Sequence, residues 1–170
     1  MKKWLVAGAI MLLSGCADKN PTNLKVDMYD AAGDRIGKID LTEQAAGLEL
    51  DLDLTGLPPG DHAIHFHEKA SCKGPDFKSA GNHFNPDSKQ HGLMNAEGPH
   101  VGDLPNIEVD DKGKVKVTLQ SDATLKPERN TLLTKDGTSI VIHEKGDNGM
   151  SQPAGDSGKR IACGVIKQDK

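Results

Sequence analysis

The seven histidines of this chain all lie between His62 and His143, and their spacing is that of a metal site. Histidine is the commonest protein ligand of zinc and copper, which it binds through one neutral ring nitrogen. So many imidazoles in one region are more than a single ion can bind. The sequence therefore predicts a metalloprotein that holds more than one metal ion.

The first candidate set centres on two histidines of one predicted strand. His65 and His67 are two residues apart, so on a strand both rings project from the same face and can bind one ion. His143 ends the apolar segment SIVIH and would complete a nitrogen-rich shell, which favours copper. His62 has the opposite parity on the predicted strand, and we interpret it as a structural histidine.

The second candidate set lies in a long segment without strand periodicity. It contains three imidazoles and one carboxylate: His83, His91, His100 and Asp103. Four such ligands make the closed shell expected of a zinc ion that holds structure. Spacing alone leaves open whether the two metal sites are separate or share a ligand.

The N-terminus has the pattern of a bacterial lipoprotein signal. Two lysines precede a short apolar run over 4–13, and the tetrapeptide LSGC ends at Cys16. The run is too short to span a bilayer, so we predict a signal peptide over 1–15, a lipidated tether over 16–23 and one domain over 24–170. The alternative is a short membrane anchor that is retained. The mature protein is expected outside the cytoplasmic membrane, attached to it or to the outer membrane through Cys16.

Charge, length and cysteine content indicate which partners, how many domains and which disulfide to expect. Removal of the signal and its two lysines lowers the formal net charge from −4 to −6, which argues against nucleic acid as a partner. The remaining chain of about 150 residues suits one domain with a single core. With Cys16 assigned to lipid, Cys72 and Cys163 remain, and export favours a disulfide between them over two free buried thiols.

Apolar residues at every second position indicate short strands separated by tight turns. The predicted strands are 24–30, 35–41, 46–54, 61–67, 114–120, 131–134, 138–143 and 160–166. Eight such strands predict an all-β protein, an antiparallel sandwich or flattened barrel. Two long loops, about 68–106 and 144–159, interrupt them. Loops of this length in a small domain are usually functional or disordered, and the three histidines, Asp103 and Cys72 in the first favour a functional loop.

Five segments resemble the signature segments of the copper/zinc superoxide dismutase family, in the family's order. They are GDHAIHFH (60–67), SAGNHFNP (79–86), HVGDLPN (100–106), IHEKGD (142–147) and GDSGKRIACGVI (155–166). The resemblance covers nearly the whole mature chain. It implies an eight-stranded Greek-key sandwich, an architecture of which this family is a known example.

The resemblance also implies a role for each candidate residue. Four histidines would bind copper: His65, His67, His83 and His143. The zinc ligands would be His83, which bridges the two metals, and three further residues: His91, His100 and Asp103. Asp147 would link a copper histidine to a zinc histidine, and Arg160 would face the copper. The pair Cys72 and Cys163 matches the family disulfide.

The reaction implied by the resemblance is the dismutation of superoxide to oxygen and hydrogen peroxide at the cell surface. Copper would change oxidation state, and His83 would carry a proton. A rival function is a surface lipoprotein of the same fold that buffers or delivers copper or zinc, but the complete set of four copper histidines favours the enzyme. A purely adhesive sandwich has no use for such a histidine set. The sequence leaves open whether the protein is a monomer or a homodimer.

Overall fold

The computed structural model describes residues 21–168, and strands dominate it. The strands are β1 (Asn23–Asp30), β2 (Arg35–Gln44), β3 (Gly47–Thr55), β4 (Gly60–His62), β5 (Ile64–His67), β6 (Ile107–Val109), β7 (Lys114–Ser121), β8 (Thr138–His143) and β9 (Arg160–Ile166). The only helical turn in the described part of the chain is a 3₁₀ turn over Lys78–Ala80. The predicted all-β class is confirmed.

Seven strands form one antiparallel sheet in the order β5-β8-β9-β1-β2-β3-β7, and β4 pairs with β6 in a second, small sheet. Period-two alternation explains how the large sheet buries one face. Leu50 of β3 lies opposite Leu41 of β2 and Leu119 of β7, and all three side chains are buried. One hydrophobic cluster contains residues from every strand except the short β4. The sheet thus supplies a rigid frame on which the histidines are mounted.

Three of the sequence-based strand assignments differ from the structure. The predicted strand 61–67 is interrupted at Ala63, whose backbone bonds with Lys145 and His143 divide it into β4 and β5. The predicted strand 131–134 is wrong. Only one isolated bridge forms there, because two of its carbonyls have other partners. The Leu132 carbonyl accepts from the Thr138 hydroxyl, and the Thr134 carbonyl accepts the Gly137 N–H. The strand β6 was not predicted, since three residues are too few to show a period.

The two predicted long loops lie between strands, as expected. The first loop is joined to β9 by a disulfide between Cys72 and Cys163, whose Cα atoms are 5.6 Å apart. This confirms the predicted pairing. Within residues 21–168, no helix has the length and apolarity needed to cross a membrane. The predicted signal segment and Cys16 lie outside the described residues and stay predictions.

Candidate metal centre

Adjacent strands bring three of the candidate copper ligands together. His65 and His67 alternate along β5, which pairs with β8, and His143 is the last residue of β8. His83 arrives from the first long loop through an isolated backbone bridge to His67. The ring centroids of His65 and His83 are 4.0 Å apart, and those of His65 and His143 are 5.0 Å apart. None of the four side chains is more than 7% exposed.

One nitrogen of each ring in this set is buried and lacks a hydrogen-bond partner. These atoms are His65 Nδ1, His67 Nε2, His83 Nε2 and His143 Nε2. Buried polar atoms are almost always satisfied in native proteins, so four unpartnered nitrogens in one place require a ligand. All four lie within 4.8 Å of one another. The residues therefore fit a metal ion bound by imidazole alone, the donor set that suits copper.

The opposite ring nitrogen of three of these histidines contacts a fixed oxygen atom. His65 Nε2 lies 2.9 Å from Asp147 Oδ2, His67 Nδ1 lies 3.0 Å from the Gly81 carbonyl, and His143 Nδ1 lies 3.0 Å from Ser157 Oγ. Such contacts fix the ring orientation and the tautomer of a metal-binding histidine. The unpartnered nitrogen of each ring is thereby aimed at a common point.

The second set converges on one oxygen of Asp103. Asp103 Oδ1 lies 2.8 Å from His83 Nδ1, 3.0 Å from His91 Nδ1 and 3.2 Å from His100 Nδ1. A tetrahedral zinc ion with bonds of about 2.0–2.1 Å places its ligands about 3.3 Å apart, close to these distances. The other oxygen, Oδ2, accepts the backbone N–H groups of Gly92 and His100. His83 belongs to both sets, with Nε2 in the first and Nδ1 in the second.

Asp147 connects the two sets through the ring nitrogens that face away from the metal positions. Its Oδ2 lies 2.9 Å from His65 Nε2, and its Oδ1 lies 3.1 Å from His91 Nε2. The side chain of Asn106 holds the Asp147 backbone by donating to its carbonyl and accepting from its N–H, at 2.9 and 2.8 Å. The second long loop is thus fixed to the centre at this residue.

Burial sets the protonation state of the histidines in the first set. It lowers the pKa of His67 to about 2, of His143 to about 3 and of His83 to about 4. Burial alone would raise the pKa of Asp103, but hydrogen bonds from the surrounding histidines outweigh it and hold that pKa well below its usual range. At neutral pH the three rings are neutral and the carboxyl is ionised. These are the forms that bind metal ions.

A cavity of about 300 Å³ opens onto the centre, and its lining includes His83, His143, Glu68 and Arg160. The Arg160 guanidinium donates from Nη1 to the Phe77 carbonyl at 2.8 Å and from Nη2 to the Gly81 carbonyl at 2.7 Å. Both acceptors are neutral. Among the described residues no carboxylate forms a salt bridge with Arg160, although Asp76 is near enough to interact with it electrostatically. The cavity is suited to a small anion.

Sequence reasoning did not identify three residues that support the centre: Gly81, Asn106 and Ser157. All three lie inside the motif segments SAGNHFNP, HVGDLPN and GDSGKRIACGVI, which is the signal that could have found them. Gly81 acts through its backbone carbonyl and leaves no side-chain signal. His62, interpreted as structural, lies with each ring nitrogen 2.7 Å from a carbonyl oxygen.

The fold and this centre define a class: an antiparallel β-protein with a two-metal site built from imidazoles and one carboxylate. Residues 35–166 match the family model described as copper/zinc superoxide dismutase. The chain is 46% identical over 166 residues to the second Cu-Zn superoxide dismutase of Aquifex aeolicus, covering 96% of each chain.

Two solved structures share the fold. A superoxide dismutase-like protein from Bacillus subtilis superposes with a TM-score of 0.81 at 39% identity, over 84% of this chain and 97% of that one. The Cu/Zn superoxide dismutase of Brucella abortus gives a TM-score of 0.71 at 32% identity, over 85% and 99%. The chain belongs to the copper/zinc superoxide dismutase family.

Proposed function

We propose that this protein is a superoxide dismutase, which converts two superoxide ions and two protons into oxygen and hydrogen peroxide. The observation that carries the proposal is the group of four unpartnered buried imidazole nitrogens beneath a cavity that also presents Arg160. These imidazoles would hold a copper ion, which would supply one-electron redox chemistry. The chain's own residues must bind that ion, admit the anion and deliver protons.

The ligand assignment follows the two nitrogen sets. Copper would be bound by His65 Nδ1 and by Nε2 of three other histidines: His67, His83 and His143. Zinc would be bound by Asp103 and by Nδ1 of three histidines: His83, His91 and His100. The distances within each set support this division, and His83 would bridge the two metals. Asp147 would hold the His65 and His91 rings in place.

His83 would also take part in proton delivery. Its Nε2 faces the copper set and its side chain lines the cavity, while its Nδ1 stays among the zinc ligands. In one half of the cycle Nε2 would hold a proton, and in the other it would give that proton to the reduced substrate. Solvent in the open cavity would supply the second proton of hydrogen peroxide.

Arg160 would attract and orient the anion. The protein carries a net negative charge, which opposes the approach of superoxide. With a screening length of about 8 Å at physiological salt, a guanidinium inside the cavity outweighs distant carboxylates. Its two backbone hydrogen bonds hold it in one orientation toward the cavity.

The protein would work outside the cytoplasmic membrane, anchored through a lipid on Cys16, and protect the cell surface from superoxide. The LSGC tetrapeptide supports this location. The disulfide between Cys72 and Cys163 is also consistent with it, because such bonds persist in oxidising compartments.

The test is metal analysis combined with pulse radiolysis of the processed protein and two variants. We expect one copper and one zinc per chain with rapid dismutation. His67→Ala should lose copper and activity while it retains zinc, and Asp103→Ala should lose zinc first. A parent protein that binds both metals without dismuting superoxide would instead support metal storage or delivery.

A further inference from the structure

Glu68 places a carboxylate in a cavity proposed to admit an anion. It directly follows His67 at the end of β5, and its side chain lines the same cavity as Arg160. A negative charge there opposes the entry of superoxide. Its one ion-pair contact within the described part of the chain, to Lys69 Nζ at 4.0 Å, is between largely exposed groups and does little to neutralise it. Electrostatics alone therefore gives no reason for a glutamate at this position.

The contacts of Glu68 supply a different reason, because they hold the turn that follows the 3₁₀ segment. Its backbone N–H donates to the Asn82 carbonyl at 2.9 Å, and its Oε1 accepts the Asn82 N–H at 3.1 Å. The side chain also covers Gly81. A Cβ at Gly81 would lie 2.5 Å from Glu68 Oε1 and 2.7 Å from its Cγ. Glu68 therefore fixes both residues of this turn from the end of the strand.

The Gly81 carbonyl on this turn serves two functional side chains at once. It lies 2.7 Å from Arg160 Nη2 and 3.0 Å from His67 Nδ1. A shift of this one oxygen would disturb both the cation that faces the cavity and the orientation of a copper ligand. The position of the turn is thus a shared determinant of anion binding and metal geometry.

We propose that Glu68 is a positioning residue for the dismutase reaction. Its carboxylate oxygen holds the turn over 81–82, so that the Gly81 carbonyl orients Arg160 and His67 together. Positioning needs a hydrogen-bond acceptor at the end of a side chain of this length. The negative charge is not needed for positioning and opposes the entry of the anion. This inference rests on the proposed function, and its test includes readouts that do not depend on activity.

Two substitutions separate the acceptor from the charge. Glu68→Gln removes the charge but retains an oxygen at the same distance along the side chain. Glu68→Asp retains the charge but shortens the side chain by one methylene, so the oxygen no longer reaches the Asn82 N–H. Glu108→Gln, on an exposed position of β6, removes the same charge away from the cavity lining and serves as the control.

Each variant should be loaded with both metals and its rate divided by its copper content. We expect Glu68→Asp to lose about tenfold in second-order rate, because small displacements of positioning groups have large effects. Glu68→Gln keeps the acceptor and loses the repulsive charge, so its rate should exceed that of the parent about twofold at low ionic strength. The second-order rate of the Glu108→Gln control should be close to that of the parent, because a charge far from the cavity has only a small long-range effect.

Three further measurements report positions directly. The copper EPR spectrum should change in Glu68→Asp and stay that of the parent in Glu68→Gln, because His67 moves only in the former. Azide, a stable small anion, should bind more weakly to Glu68→Asp alone. In metal-free protein, the side-chain N–H signals of Arg160 in NMR spectra should shift in Glu68→Asp alone. Thermal unfolding confirms that each variant is folded.

Two results in these variants would overturn the proposal. If Glu68→Asp behaves as the parent in rate, EPR spectrum and Arg160 signals, the acceptor contact does no positioning. If Glu68→Gln shows the same losses as Glu68→Asp, the site needs the charge as well as the reach, and the charge is not merely an electrostatic cost. If the fully loaded parent itself does not dismute superoxide, the proposed function fails, while the NMR comparison still decides whether Glu68 positions Arg160.

Discussion

The substitution Arg160→Ile removes the one cationic side chain that, among residues 21–168, lines the cavity above the candidate copper site. The guanidinium is half buried and donates to the Phe77 and Gly81 carbonyls, so its removal breaks no salt bridge of the described residues and costs Asp76 only a longer-range attraction. The metal ligands stay in place because they are held by other contacts. We therefore expect both metals to remain bound and the rate to fall for an electrostatic reason.

The size of the effect follows from the position of Arg160. A unit charge about 4 Å from an anion is worth about 1 kcal/mol in a water-like medium and about 4 kcal/mol at an effective dielectric constant of 20. The cavity is open and Arg160 is only partly buried, so a value of about 2 kcal/mol is appropriate. This corresponds to a second-order rate roughly 30-fold lower. The rate of Arg160→Lys should lie between those of the parent and Arg160→Ile, because lysine keeps the positive charge but cannot make both backbone hydrogen bonds of the guanidinium.

Pulse radiolysis across a series of salt concentrations is the assay. The parent should slow as salt rises, because salt screens the attraction by Arg160. The isoleucine variant, left with a repulsive net charge, should slow less or become faster. Equal rates and equal salt slopes in parent and variant, at equal metal content, would remove Arg160 from the mechanism.

Three other predictions concern different parts of the chain. Asp147→Asn cannot accept hydrogen bonds from both linked rings, so metal affinity should fall about 10- to 100-fold in competition with a chelator, and an unchanged affinity would contradict its linking role. Glu43→Gln tests a partly buried carboxylate. Burial alone would raise the pKa of Glu43, but hydrogen bonds from Leu125, Lys126 and Thr124 outweigh it and lower that pKa. The ionised form therefore stabilises the fold above the ordinary carboxyl pKa, and this contribution is lost as pH falls through the lowered value. In urea unfolding the variant should be less stable by about 1–2 kcal/mol at pH 7, and the difference should shrink below about pH 4; a constant difference would refute the reasoning. Cys16→Ser should leave the exported protein outside the membrane fraction, and sedimentation with membranes would refute the lipid anchor.

The strands were largely predictable from sequence because burial on one face produces a period of two. Leu48, Leu50, Leu52 and Leu54 show this pattern, and all four are buried. Where tertiary contacts compete with the local pattern, the prediction was wrong. The 131–134 segment has apolar residues, but its Leu132 carbonyl accepts from the Thr138 hydroxyl and its Thr134 carbonyl accepts the Gly137 N–H, rather than bonding with a neighbouring strand.

The grouping of ligands was partly predictable, since the spacing in β5 places two rings on one face. The sharing of His83 was not predictable from spacing, because it depends on which ring nitrogen points toward each set. That orientation is fixed by Asp103 on one side of the ring and by the strand residues on the other. The Gly81 carbonyl was invisible for a similar reason: its function depends on backbone position and not on residue type.

The two candidate metal sets differ in how they are supported, and this difference couples metal binding to folding. The copper set takes three of its four histidines from β5 and β8, so the sheet forms most of it. The zinc set comes entirely from the 68–106 loop, which is held by the disulfide and by two isolated bridges to β5. Binding free energy at sites made by loops contributes directly to loop order. Because His83 belongs to both sets, zinc loss should weaken the copper site, whereas copper loss should leave the zinc site more nearly intact.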